Sequence, residues 1–194
     1  MTRYLCIVTL VLAACSQDAS VPAETAAPAS DPAAIAVTEP PDEPPRYTSL
    51  TGCTLTRSAP EEAGFFEREC GGEGGYRLRR TESDLRENLI VLSPDGGEHS
   101  LELPALANGA FSSLGERVEW RGTTGPDGFA PEALIVRHSV MEDPDPAVPE
   151  VSYLVVARLA PPVCVVARVP PGPGQNARAR ELADAGGTCL ESSA

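Results

Sequence analysis

Apolar and polar residues alternate with a period of two over several short stretches of this chain, the pattern of strands with one buried face. Phe65 to Cys70 is one such stretch, and the turn Gly71-Gly72-Glu73-Gly74-Gly75 leads from it into Tyr76 to Arg80. Leu85 to Leu92 follows and ends at Ser93-Pro94-Asp95-Gly96, whose residues suit a hairpin turn. Arg117 to Arg121 puts Val118 and Trp120 on one face and Glu119 and Arg121 on the other. Glu132 to Val140 is a further strand, and Val151 to Leu159 and Val163 to Val169 are joined by Ala160-Pro161-Pro162. Centring that last hairpin on Pro161 sets Leu159 against Val163. One face then carries Tyr153, Val155, Ala157, Leu159, Val163, Val165, Ala167 and Val169, all apolar, and the other carries Leu154, Val156, Arg158, Cys164, Val166 and Arg168. A sheet lying on a core divides its residues in this way.

Two segments follow a helical period instead. Leu103, Leu106, Ala110 and Leu114 recur at helical spacing, with Pro104 suited to a first turn and Gly115 to a stop, although Gly109 weakens the segment. Asn176 is placed to cap a helix over 177–185 that Gly186-Gly187 ends, with Ala179, Leu182 and Ala183 as its apolar stripe. The expected fold is α+β: a mostly antiparallel sheet with a C-terminal helix packed on it and one short mid-chain helix.

The first residues follow a different rule. Arg3 precedes an uncharged run from Tyr4 to Leu12, about nine residues. A membrane span needs roughly 20, whereas a signal-peptide core is this short. The run ends in Leu12-Ala13-Ala14-Cys15, which resembles the bacterial lipobox: small residues admit the peptidase, and the Cys15 thiol takes the lipid. Residues 1–14 are therefore expected to be removed, together with Cys6, leaving Cys15 as an acylated, palmitate-bearing N-terminus. Several acyl chains hold a protein at a bilayer where one chain alone binds marginally. Ser16 follows Cys15 where enterobacterial inner-membrane lipoproteins carry aspartate, which favours the periplasmic face of the outer membrane. Residues 16–46 are rich in Ala, Pro, Ser and acidic residues without an apolar period, so with Cys15 they read as a disordered tether over 15–46. As a flexible coil it would reach about 30 Å, and as a polyproline II rod about 95 Å.

Residues 47–194 are left for a single globular domain, able to bury roughly 68–70% of its unfolded surface. The chain has 28 acids against 15 bases, and six of the acids lie in the tether. No basic field exists to hold nucleic acid. Cys53, Cys70, Cys164 and Cys189 form an even set in an oxidising compartment and read as two disulfides. Three pairings are possible; the nearest-neighbour scheme closes loops of similar modest size, each worth about 3 kcal/mol by loop entropy. A four-cysteine zinc site is disfavoured because no C-x-x-C occurs.

Candidate chemistry is sparse. His99 lies among Glu98, Ser100 and Glu102, and His138 follows Arg137 in an apolar strand. Without a G-x-S-x-G or another held nucleophile, both read as surface or hydrogen-bonded strand histidines. Ser112-Ser113 fits a helix end. Gly71 to Gly75 lacks the Gly-Lys-Ser/Thr ending and leads into a strand, so it is a turn, not a phosphate cradle. Glu142-Asp143-Pro144-Asp145-Pro146 has no glycine for a calcium loop and reads as solvated acid. Neither a metal site nor a cofactor site is expected. Glu119 and Arg121 face away from the core and could pair with Arg137 or Arg86 in a surface ion network. Together with Arg77 and Arg79 the same residues could form a binding patch, since guanidinium groups suit carboxylate recognition.

Gly74-Gly75-Tyr76-Arg77, Asp84-Leu85-Arg86, Val118-Glu119-Trp120-Arg121, Ala133-Leu134-Ile135-Val136-Arg137, Cys164-Val165-Val166-Ala167 and Asn176-Ala177-Arg178-Ala179-Arg180 with Ala183-Asp184 occur in this order. Together they resemble a group of uncharacterised exported proteins of alphaproteobacteria, over most of residues 53–189. The resemblance implies a periplasmic setting and brings no activity or catalytic residue with it.

The expected protein is a non-catalytic, lipid-anchored module of the cell envelope that binds an envelope protein or peptidoglycan. An inhibitor of a cell-wall hydrolase, or a hydrolase whose site only the fold assembles, is the alternative. Intact-mass analysis of protein from cells should find acyl mass on Cys15. A free thiol there contradicts the lipoprotein reading.

Overall fold

A computed structural model describes residues 44–191; the signal segment, Cys15 and the tether up to residue 43 lie outside the described residues. Half of the described residues are in strands and a tenth in helices, giving a mixed sheet with two helices, an α+β arrangement. In chain order the strands are β1 (Arg46–Ser49), β2 (Thr54–Ala59), β3 (Phe65–Cys70), β4 (Arg77–Ser83), β5 (Arg86–Leu92) and β6 (Glu98–Ser100). Helix α1 (Leu103–Leu106) precedes β7 (Ser112–Gly125), β8 (Gly128–Val140), β9 (Val151–Arg158) and β10 (Cys164–Val169), and α2 (Gln175–Ala185) comes last. The sheet runs β10-β9-β8-β7-β5-β4-β3-β2, with β1 added on β7 and β6 on β5. All described pairings are antiparallel except β5 with β7.

Strand β7 organises the sheet. One of its edges pairs with β8 along its length, but the other is shared. Ser112 lies parallel beside Arg86 of β5, and from Arg117 to Trp120 the same edge belongs to β1. Where the partners change, β7 bulges: Leu114 faces His138 and Val118 faces Val136, so Gly115, Glu116 and Arg117 together oppose Arg137. Extra residues in one strand leave backbone groups without a ladder partner. On the other edge, where β5 ends and β1 has not begun, the Leu114 N–H also lacks a ladder partner, and it donates to Glu87 Oε2 at 2.5 Å. Glu87 is buried and forms an ion pair with Arg80, whose Nε donates to Oε1 at 3.1 Å. Arg80 also donates to the Leu50 carbonyl at 3.3 Å, and the Leu50 N–H donates to the Glu116 carbonyl at 2.7 Å. One carboxylate thus ties β4, β5, β7 and the end of β1 together.

The main core lies on one sheet face, where Leu78, Leu89, Val91, Val118, Trp120, Leu134, Val136 and Val155 are all essentially inaccessible. Trp120 places its polar edge well, donating from Nε1 to Thr48 Oγ1 at 2.8 Å. A second cluster joins Ala133, Ile135, Leu154, Val156 and Val169 to Ala179 and Ala183 of α2. Two disulfides, Cys53–Cys70 and Cys164–Cys189, follow the nearest-neighbour scheme.

Four local expectations are corrected. The last hairpin keeps its register, with Val165 against Ala157, but a bulge then places Ala167 against Val156. Ala167 and Val169 therefore join the second cluster, so the uniform apolar face ends at Val165. The mid-chain helix stops after Leu106 because Asn108 and Gly109 adopt positive φ; Ser112, Ser113 and Leu114 belong to β7. Leu85 is a turn residue, since it and Asp84 have φ of 58° and 49° between β4 and β5. Helix α2 begins after Gly174, which puts Asn176 in the first turn without a capping bond.

The buried position of Glu87 gives a stability prediction. Glu87→Gln should cost about 3 kcal/mol in urea unfolding, because Arg80 loses its counter-charge in a desolvated place. Glu98→Gln, which removes the exposed partner of Arg79, should leave the midpoint unchanged. Equal effects of the two substitutions would contradict the assignment.

Candidate functional site

The bulge in β7 opens a groove of about 400 Å³. Tyr47 of β1 and Gly115, Glu116, Arg117 and Glu119 of β7 contribute to it. Ile135 and Arg137 come from β8, Leu154 from β9, and Asn176, Ala179 and Arg180 from α2. Gly115 is required here for its lack of a side chain: a Cβ would stand 2.8 Å from Arg137 Cβ. The three-against-one register and that missing atom together let Arg137 lie across β7.

Glu119 is held from two sides. Arg180 Nε and NH2 donate to its two oxygens at 2.7 and 3.0 Å, and the Tyr47 hydroxyl donates to Oε2 at 3.1 Å. The hydrogen bond to Glu119 raises the Arg180 pKa above its ordinary value, so this pair stays ionised. Beside it, Arg121 makes a bidentate pair with Asp184 of α2 at 3.0 and 2.8 Å. Glu119 and Arg121 therefore pair with the helix, not across strands to Arg137 or Arg86 as the sequence suggests.

Two groove arginines are bound differently. The Arg137 NH1 donates to Ser152 Oγ at 2.8 Å, and Arg117 stands 5.3 Å from the centre of the Tyr47 ring. Neither has a carboxylate within 4.0 Å among the described residues. Ten of the fourteen described arginines do: residues 46, 57, 77, 79, 80, 86, 121, 168, 178 and 180. The exceptions are Arg68, Arg117, Arg137 and Arg158, and two of these four share the groove.

Of the residues expected to form a binding patch, Glu119 and Arg137 meet in the groove and Arg121 lies next to them. Arg77 pairs with Glu69, and Arg79 makes a bidentate pair with Glu98 at 2.8 and 3.0 Å, both on β4. Arg86 pairs with Asp84, donates to the Gly109 carbonyl at 2.6 Å and covers the Phe111 ring. None of these three lines the groove. Tyr47, Arg117, Asn176 and Arg180 do, and sequence reasoning missed them. Their signal was the placement of arginine at 178 and 180 in a helix next to a strand bearing Glu119.

The histidines occupy different settings. Ser93 and Asp95 of the β5–β6 turn lie beside His99 of β6, with Ser93 Oγ 3.4 Å from His99 Nε2. Ser93 also donates to Asp95, and this bond is the main cause of the lowered Asp95 pKa. The hydroxyl-to-imidazole-to-carboxylate order of a hydrolytic triad is not formed; the group closes a turn. His138 was expected at the surface or hydrogen-bonded. It is instead fully buried between Leu114 and Tyr153, and neither ring nitrogen has a hydrogen-bond partner among the described residues. In the acidic segment, Glu142 accepts from the Tyr153 hydroxyl at 2.6 Å and from Arg168 at 3.1 Å. Among the described residues, no three His, Cys, Asp or Glu side chains converge as a metal site.

Comparison of the chain with models of known families, with curated proteins and with solved structures finds no match.

His138 makes stability depend on pH. Burial, then the charge of Arg168, pushes it down from 6.5 to about 4. Between these values the unfolded chain binds a proton that the folded one refuses, so stability is complete above about 6.5 and falls as the pH drops. From pH 7 to pH 5 the loss should be about 2 kcal/mol. His138→Leu should flatten urea-unfolding midpoints over that range, and an unchanged slope would assign the effect elsewhere.

Proposed function

We propose that the protein is a non-catalytic binding module of the cell envelope, anchored through Cys15 at the periplasmic face of the outer membrane. Its ligand seat is the groove at the β7 bulge. One observation supports this reading above the others. In a domain rich in acids, two arginines of one groove have no carboxylate within 4.0 Å among the described residues, whereas most of the other described arginines do. A guanidinium left without a counter-charge in a concave place is suited to an incoming anion. In this reading α2 packs on the second sheet face as a fixed wall. Its Arg180 and the Tyr47 hydroxyl occupy Glu119, so that carboxylate does not reach across to the free pair. Among the described residues no Ser, Thr, Cys or His side chain lines the groove, so the nucleophile of a hydrolase is not set beside its carboxylates, which favours binding over hydrolysis.

The test uses the full chain in cells. A photoreactive residue at position 176, within the groove, should give a discrete adduct that the same residue at position 56, on the far edge strand, does not. Arg137→Glu should abolish it. Equal adducts from both positions, or an adduct indifferent to the charge reversal, would remove the groove from the function.

A further inference from the structure

Resting on the reading of the groove as a ligand seat, we infer that its ligand is a singly charged carboxylate, the free C-terminal end of a peptide. The charge count limits the choice first. Arg117, Arg137 and Arg180 face Glu116 and Glu119, a net excess of one positive charge. Arg180 and Glu119 neutralise each other, so the cations that remain are Arg117 and Arg137, with Glu116 exposed at the rim. A monoanion completes this balance. A phosphate dianion would place a surplus negative charge close to two glutamates.

Donor geometry agrees. A guanidinium has five N–H donors in a planar fork. Ser152 takes one from Arg137 and thereby fixes its plane, which leaves an edge for a carboxylate. Arg117 is held from behind by the Tyr47 ring, a contact that orients the group without using its N–H donors. Glu116 remains in reach of the groove to accept an amide N–H from the preceding residue of the ligand.

Calorimetric titration of the full chain at low salt tests the assignment with N-acetyl-Ala-Ala in L and D forms, its C-terminal amide, and inorganic phosphate. At least one free acid should bind, with the amide and phosphate at least tenfold weaker. Arg117→Met and Arg137→Met should each weaken the acid at least tenfold, and Arg68→Met, outside the groove, should not. Arg117 is exposed, so its substitution carries the test even where Arg137→Met fails to fold. Equal binding of acid and amide, tighter binding of phosphate, or no binding of either acid overturns the carboxylate assignment. When the position-176 adduct forms and depends on Arg137, only the ligand class falls; when it does not form, or is indifferent to Arg137, the seat itself is wrong.

Discussion

The buried carboxylate of Glu87 is the constraint on which the rest depends. A strand cannot leave one neighbour and take another without stranding backbone donors, and a stranded donor in the interior costs about 1–3 kcal/mol. β7 makes such a change between Ser112 and Arg117. Glu87 accepts the Leu114 N–H, and Arg80 both balances its charge and reaches the Leu50 carbonyl. With the donor satisfied there, β5 can stay with β4 while β1 takes over the edge of β7. A hydrophobic residue at position 87 could fill the space but could not accept the amide.

The groove is a consequence of the same departure. Because β7 spends three residues against one of β8, its ladder is interrupted where Arg137 crosses it. Gly115 leaves room for the Arg137 side chain to cross, and the Glu119 clamp joins β1, β7 and α2 beside it. Fold and site therefore share one irregular stretch, residues 112 to 119. Stability in this segment and access to the free guanidinium groups are coupled properties of one bulge.

Much of the sheet was legible because one-sided burial writes a period of two into the chain. β3, β5, β8, β9 and β10 were found from that signal, and Val118 and Trp120 were placed on the core side as the structure has them. The strands that were missed carry little of it: every residue of β2 except Ala59 is exposed, and β1 and β6 have four and three residues. Bulges are also silent in the pattern. Nothing in Val165-Val166-Ala167 reports that the register shifts there, since all three are apolar. Spacing alone made Leu103 to Leu114 look helical; the positive φ at Asn108 and Gly109 decided otherwise. The site was half legible. Glu119 and Arg137 stood out by type, and Arg117 lay in the same strand as Glu119 without being singled out; Arg180 and Tyr47 join them only through contacts over long sequence distance, Tyr47 being 133 residues from Arg180.

Amide hydrogen exchange at Leu114 tests the central constraint most directly. An N–H held by a buried carboxylate should exchange only as fast as the whole domain unfolds, as slowly as the amides of the core strands β8 and β9. Exchange at the rate of an open strand edge, with those core amides still protected, would mean that Glu87 does not hold β7, and the account of both sheet and groove would fail.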